Sequence, residues 1–274
     1  MKKNILKLLI FGLFLGASIP AIATEKTDLK PACGFVRVTT NMLGYNFIAR
    51  HIAQKVIKDS LNKSVAGEYK VKVDSFSGVD LKKGKFKGLT IEGKNLSIDN
   101  EVYFSRLYMN TTSDFNYVNY RKDPIEFKTD LPMDYIVEIT EDDINNSVAG
   151  KRAHSNELFS MYPLLKIEQL KFKITDDKIR VSTGIKFPFC KPIKISMSTK
   201  LKVEDGKIVF TDVSSNQEQK EITEKLITLL NNYNFIENIK LHLFDGTNTT
   251  MAIKNVKVMD KKIYINGKIV IKKA

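Results

Sequence analysis

At 274 residues the chain is long enough for one large domain or two small ones, and its formal charge of +13 is carried mostly by lysine. Only six of the 44 basic residues are arginine (Arg37, Arg50, Arg106, Arg121, Arg152 and Arg180), which argues against the bidentate phosphate and base contacts of a nucleic-acid reader. No glycine/serine linker, charge block or low-complexity tract divides the chain.

Residues 1–23 read as a signal peptide. Lys2, Lys3 and Lys7 form a positive start, and Leu8 to Ile19 a short apolar core. Pro20 leads into Ala21-Ile22-Ala23, a small-x-small cleavage site. The run falls short of the roughly 20 residues of a comfortable membrane span; a retained anchor is the alternative. The expectation is an exported protein with a mature N-terminus at Thr24 and one domain over 24–274, which excludes cytoplasmic roles. Cys33 and Cys190 would meet an oxidising compartment there, which invites a disulfide, although two buried free thiols explain the count as well.

Tyr45 to Leu61 reads as an amphipathic helix, with Phe47/Ile48, Ile52, Val56/Ile57 and Leu61 on one face and Arg50, Lys55, Lys58 and Asp59 mainly on the other. Asn62 is its stop. Tyr69, Val71 and Val73 then alternate with Lys70, Lys72 and Asp74. The most informative stretch is Val79 to Met109, where Leu89/Ile91, Leu96/Ile98 and Val102/Phe104 alternate with polar residues. A one-residue drift before Leu107/Met109 calls for a bulge. Period two with one greasy face is the mark of antiparallel strands. Ahead of these strands Lys82, Lys83, Lys85 and Lys87 surround Gly84 and Gly88, a turn read either as solvated surface or as a cationic lip for anionic amphiphiles.

Asp114 to Asp123 is polar and aromatic and carries no clear pattern. From Pro124 the chain extends into Met133, Tyr135, Val137 and Ile139. Thr140 and Asp143 form a capping pattern that starts a short helix. Glu141, Asp142 and Asp143 are best explained as acids at a helix start, since no histidine or further acid stands at ligand spacing. His51, His154 and His242 are isolated, and there is no Gly-x-Ser-x-Gly elbow.

Beyond Leu170 regular alternation continues through Phe172/Ile174, Ile179/Val181, Ile193/Ile195/Met197 and Leu201/Val203, with a hairpin at Asp205-Gly206. Glu218 to Tyr233 is the second amphipathic helix, with Ile222, Leu226, Leu229/Leu230 and Tyr233 on one face. Met251/Ile253, Val256/Val258, Ile263/Ile265 and Ile269/Ile271 finish the sheet. The fold class is α+β: a long one-sided antiparallel sheet with two main amphipathic helices. Two helices can cover only part of such a face. The remainder calls for a second sheet, a partner or a hydrophobic ligand.

The pattern Leu81-x-x-Gly84-x-x-x-x-Leu89-x-Ile91-x-Gly93, the segment Ile139-Thr-x-x-Asp143-Ile-Asn145, and the tail motifs Asp205-Gly206-x-Ile208, Leu229-Leu230-Asn231-Asn232 and Ile263-Tyr-Ile265-Asn-Gly267 resemble the bacterial LmeA-like phospholipid-binding family. The resemblance spans about Phe47 to Ile271 and is carried by small and apolar residues, with no catalytic signature. It implies a curved half-barrel sheet wrapped around the helices, similar to tubular lipid-binding domains, with a lipid groove and no cofactor. This chain is richer in lysine than that family, and its loop from Phe115 to Phe127 has no clear counterpart there.

On this reading Ile48, Ile52, Val56, Leu89, Ile91, Phe104, Tyr135, Val137, Ile222, Leu226, Leu229 and Leu230 line the groove, and Lys82, Lys83, Lys85 and Lys87 meet headgroups or the membrane surface. The expected function is a periplasmic or envelope protein that binds phospholipid or another amphiphile, as a carrier. The alternative is a structural or adhesive envelope protein whose sheet is self-satisfied; an enzyme would need convergent polar groups that the sequence does not display.

Overall fold

The computed structural model describes residues 30–34, 37–38, 45–62, 65–98, 102–119, 126–147, 166–167, 170–186, 191, 193–215, 220–232 and 248–273. The architecture is α+β and mostly antiparallel sheet, as the alternation predicts, and among the described residues none of the three sheets closes into a barrel. The largest sheet has six strands in the order β1 (Ala66–Asp74), β3 (Gly88–Ile98), β4 (Val102–Thr111), β7 (Leu131–Thr140), β14 (Lys262–Ile271) and β13 (Thr249–Met259). The second comprises β8 (Lys166–Ile167), β9 (Lys171–Thr175), β10 (Lys178–Lys186), β11 (Ile193–Glu204) and β12 (Lys207–Ser215), with β8 and β9 sharing one edge of β10. It is inserted between β7 and the closing β13–β14 hairpin, and β11 runs close beside β13. The third sheet is small: β2 (Lys85–Phe86), β5 (Asn116–Asn119) and β6 (Glu126–Phe127). Among the described residues the sheets are accompanied by helices α1 (Tyr45–Asn62), α2 (Gly78–Lys82), α3 (Glu141–Asn146) and α4 (Lys220–Asn232).

Alternation becomes rows when the register is followed across the six strands. Tyr69, Gly93, Leu107, Val137, Ile265 and Val256 face one another in one row, and Val71, Ile91, Met109, Tyr135, Gly267 and Ile253 in the next. Both rows lie on the inner face, buried or half-buried throughout. The outer face carries the intervening residues. There Arg106 reaches Glu92 at 2.7 Å and Glu138 at 3.4 Å, and Lys262 reaches the other oxygen of Glu138 at 3.2 Å. These partly exposed pairs add at most about 1 kcal/mol each, so cohesion resides in the inner rows, where each buried large side chain contributes roughly 1.5–3 kcal/mol.

The drift in the β3–β4 hairpin is resolved differently from the predicted bulge. Phe104 to Leu107 on β4 slips in phase with Gly93 to Leu96 on β3, so Leu96 still faces Phe104 and Gly93 still faces Leu107. The irregularity falls on the other side of β3. The register against β1 shifts between Ala66 and Glu68, and Asn95 takes a φ of 51°. Asparagine tolerates that left-handed conformation better than most residues.

Helix α3 is fixed at both ends of its purpose. Thr140 and Asp143 form a full capping box, as predicted. One turn apart, Glu141 and Asn145 then occupy the outer edge of β9. Asn145 donates to the Phe172 carbonyl (2.8 Å) and accepts from the Phe172 N–H (2.9 Å), while Glu141 accepts from the Ile174 N–H (3.0 Å). Two side chains thus satisfy the backbone that a further strand would have paired.

Helix α1 corrects part of the predicted face: Ile57 and Leu61 are buried as expected, but Phe47 and Ile48 are exposed. Its buried stripe is Asn46, Ala53, Ile57 and Leu61, with Ala49 packed alongside, and it lies against β1. Ile52 and Val56 are half-buried and Ile48 is exposed. The reason is size: alanines let the helix approach the strand closely, so the bulkier Ile48–Ile52–Val56 stripe is left turned aside. On α4, Leu226 and Ile227 enter the core with Thr223. Residues of α1, both large sheets and α4 form one continuous apolar cluster.

Candidate functional site

The inner face of the six-stranded sheet brings together Leu89, Ile91, Phe104, Tyr135 and Val137, and Leu226 joins the same core from α4. Phe104 and Tyr135 are 1% and 2% exposed. Ile48, at 56% exposed, stands outside this set. The side chains of Ile222, Leu229 and Leu230 lie outside the described residues, as do the whole of 1–29, Cys190, His154, Ser155 and His242.

Tyr135 occupies the middle of its row and lies across Gly267 on β14. A Cβ at position 267 would stand 2.5 Å from the tyrosine hydroxyl oxygen and would also run into the Ala252 carbonyl of β13. Glycine is therefore what lets a tyrosine lie flat here. Its hydroxyl is buried and finds no hydrogen-bond partner among the described residues. Sequence reasoning selected Tyr135 as an inward residue but missed this orphaned oxygen; the available signal was an inward-facing glycine in the alternation Ile265-Asn-Gly267-Lys-Ile269. The neighbouring row holds a second buried tyrosine, Tyr69, whose hydroxyl donates to the Val65 carbonyl at 3.1 Å.

Burial pushes the Tyr135 hydroxyl up to about 12 and raises that of Tyr69 as well. Both folded-state values exceed the unfolded value of about 10. Their contribution to stability is therefore complete below pH ~10 and is lost as pH rises through the folded values. We expect tyrosinate absorbance to appear first from the other tyrosines. Tyr69 and Tyr135 should ionise only as the near-ultraviolet circular dichroism collapses. Full ionisation of all ten tyrosines with the dichroism intact would contradict this.

The lysine turn is not the open cationic row that the sequence predicts. Lys83 and Lys87 are exposed and Lys82 is half-buried, but Lys85 is buried. Its ammonium donates to the Lys30 carbonyl at 2.6 Å and sits 5.3 Å from the Tyr117 ring centroid. It is drawn inward because β2 pairs with β5, so Asn116–Asn119 and Glu126–Phe127 of the unpatterned Phe115–Phe127 stretch form one small sheet with the lysine turn. Asn116, fully buried, ties the two together by donating to the carbonyls of Lys87 (2.9 Å) and Ser113 (3.1 Å). Phe76 is approached by the Arg37 guanidinium at 5.2 Å and the Lys87 ammonium at 5.4 Å, with the Phe115 ring 5.9 Å away.

Asp80 is the centre of this end of the molecule and has no exposed surface. One carboxylate oxygen accepts from the Ala32 N–H at 2.6 Å, the other from the Ser77 hydroxyl at 2.6 Å, and the Arg37 Nε lies 3.7 Å away. Ser77 caps α2 in return by accepting from the Asp80 N–H at 3.0 Å. Asn46, in the first turn of α1, accepts from the Gly78 N–H. The N-terminal segment, α1 and α2 are thereby joined through one buried carboxylate. The pattern Ser77-x-x-Asp80 was the sequence signal for it.

Cys33 carries a free, exposed thiol on that segment. His51 stacks on Phe47 with a centroid separation of 6.4 Å. Among the described residues no three His, Cys, Asp or Glu side chains converge on a metal-sized site, and no helix is long and apolar enough to cross a membrane. No family model matches the chain, and neither does any curated protein or solved structure.

Proposed function

We propose that this chain is an exported cell-envelope protein that binds phospholipid or a similar amphiphile against the inner face of its six-stranded sheet, without catalysis. In this reading the antiparallel sheet is a curved half-barrel around α1 and α4, in the manner of tubular lipid-binding domains and of the LmeA-like family that the sequence motifs resemble. The carrying observation is the inner face itself. It is apolar across six strands, yet contains one buried hydroxyl, Tyr135, with no partner among the described residues. An unpaired buried polar group costs about 1–3 kcal/mol. A carbonyl or hydroxyl oxygen of an amphiphile accepts that hydrogen bond, while each acyl CH₂ buried on the rows contributes roughly 0.8 kcal/mol. The role as a carrier between membranes follows from export and a shielded chain.

The test is organic extraction of protein purified from its native envelope, followed by lipid mass spectrometry. Lipid in stoichiometric amount supports the reading, with loss of that lipid in Tyr135→Phe assigning the hydroxyl to it. Protein that is folded and free of lipid overturns it, and the inner rows are then the self-satisfied core of a structural envelope protein.

A further inference from the structure

The N-terminal end of α1 carries an apolar surface on the outside of the fold. Phe47 is 71% exposed, Ile48 56% and, on the preceding segment, Val38 57%. They are not scattered. Phe47, Ile48, His51 and Ile52 follow one another at helical spacing on the stripe that α1 turns away from β1. The same end is cationic. Asn46 and the ring of Tyr45 hold the first turn of α1 onto Gly78, at the start of the helix that leads into Lys82, Lys83 and Lys87. Arg50, Lys83 and Lys87 are exposed; of the acids near them, Asp80 is wholly buried, Asp74 is half-buried and paired with Lys72 at 3.2 Å, and Asp114 is exposed. The exposed acid of α1, Asp59, lies twelve residues beyond Phe47, about 18 Å along the helix axis.

We infer that this end docks the protein onto an anionic lipid bilayer, with Phe47 and Ile48 entering the headgroup–acyl boundary and the exposed cations meeting lipid phosphates. Large exposed apolar side chains together with cations at one end of a fold are the composition of an interfacial membrane anchor. Charge selects this occupant over a second copy of the chain, which would set the same cations face to face on a molecule that still carries +10 (13 − 3) once residues 1–23 with Lys2, Lys3 and Lys7 are removed. The inference rests on the envelope lipid-binding reading for its setting, but the surface is external and needs no lipid inside the fold.

The sequence contains no tryptophan, so Phe47→Trp supplies a single reporter at a solvent-exposed position, and Ile48→Trp a second one. With vesicles of mixed phosphatidylglycerol and phosphatidylcholine we expect a blue shift in emission and quenching by lipids brominated near the top of the acyl chain. Pure phosphatidylcholine vesicles should give little of either. Phe47→Ser/Ile48→Ser and, separately, Lys83→Gln/Lys87→Gln should each weaken sedimentation with the anionic vesicles by on the order of tenfold, and added salt should weaken the wild type in the same direction. No shift from either reporter on any vesicle overturns the inference. So does a shift that grows with protein concentration in the absence of vesicles, since a second copy then covers the patch. Lipid still extracted from a protein that fails to dock leaves the interior reading standing and removes only this one; docking by a protein without extractable lipid does the reverse.

Discussion

Asp80→Ala is expected to destabilise the fold by about 3 kcal/mol or more, lowering the thermal midpoint by roughly 6–12 °C. The substitution removes both acceptors that the Ala32 N–H and the Ser77 hydroxyl use, within a site that has no exposed surface. Hydrogen bonds to a charged group are worth roughly 1.5–3 kcal/mol each, and two are lost together. The Arg37 guanidinium adds less, because its side chain is 31% exposed and stands 3.7 Å away. The effect is also local in a readable way. Ala32 and Lys30 tie the N-terminal segment to the body through Asp80 and through the Lys85–Lys30 bond, so trypsin should cut after Arg37 faster in the variant than in the wild type, while the Lys30–Pro31 bond resists it in both. Asp80→Asn keeps one acceptor and should lose less than half as much. A variant Asp80→Ala that melts and resists trypsin like the wild type would show that the buried carboxylate is dispensable.

This end of the molecule is also where the sequence was least readable. A lone aspartate between Val79 and Leu81 looks like a surface residue, and its partners at Ala32 and Arg37 lie more than forty positions away. The small sheet β2-β5-β6 was invisible for the same reason: its strands are two to four residues long, and polar Asn116 and Asn119 mask any alternation. By contrast the six-stranded sheet was legible because period two is dictated by backbone pleating, so Leu89/Ile91, Met133/Tyr135/Val137 and Ile263/Ile265 point inward whatever else the chain does. The capping box at Thr140 was legible because it is local. Helix α1 falls between these cases. Its period was plain, but two apolar stripes competed, and the alanines that win by close approach look weaker in sequence than Ile48, Ile52 and Val56.

Gly267 and Tyr135 form the second large effect, and the two positions should respond in opposite directions. Gly267→Ala adds one methyl group where the Tyr135 hydroxyl oxygen would stand 2.5 Å away and the Ala252 carbonyl closer still. A side-chain tip can move aside, but the Ala252 oxygen belongs to the backbone of β13, which pairs with β14 on both sides of a register shift between Ile253 and Asn255, next to Gly267. The strands must therefore separate locally, and overpacking of this kind costs about 3 kcal/mol or more. Combining Gly267→Ala with Tyr135→Leu should recover only the part due to the ring, leaving the backbone clash. Tyr135→Phe alone removes a buried oxygen that has no partner among the described residues while keeping the ring over Gly267. In lipid-free protein it should be neutral or stabilise by about 1 kcal/mol, because the cost of the unsatisfied hydroxyl disappears. On the proposed reading, protein that carries an amphiphile should instead be destabilised by the same change, because a hydrogen bond from Tyr135 to that ligand would be lost while the apolar contacts stay. Urea denaturation of wild type and Tyr135→Phe, each with and without prior extraction of lipid, measures all four states. A Tyr135→Phe effect that is identical in extracted and unextracted protein would separate the hydroxyl from any ligand and leave it as an uncompensated feature of the core.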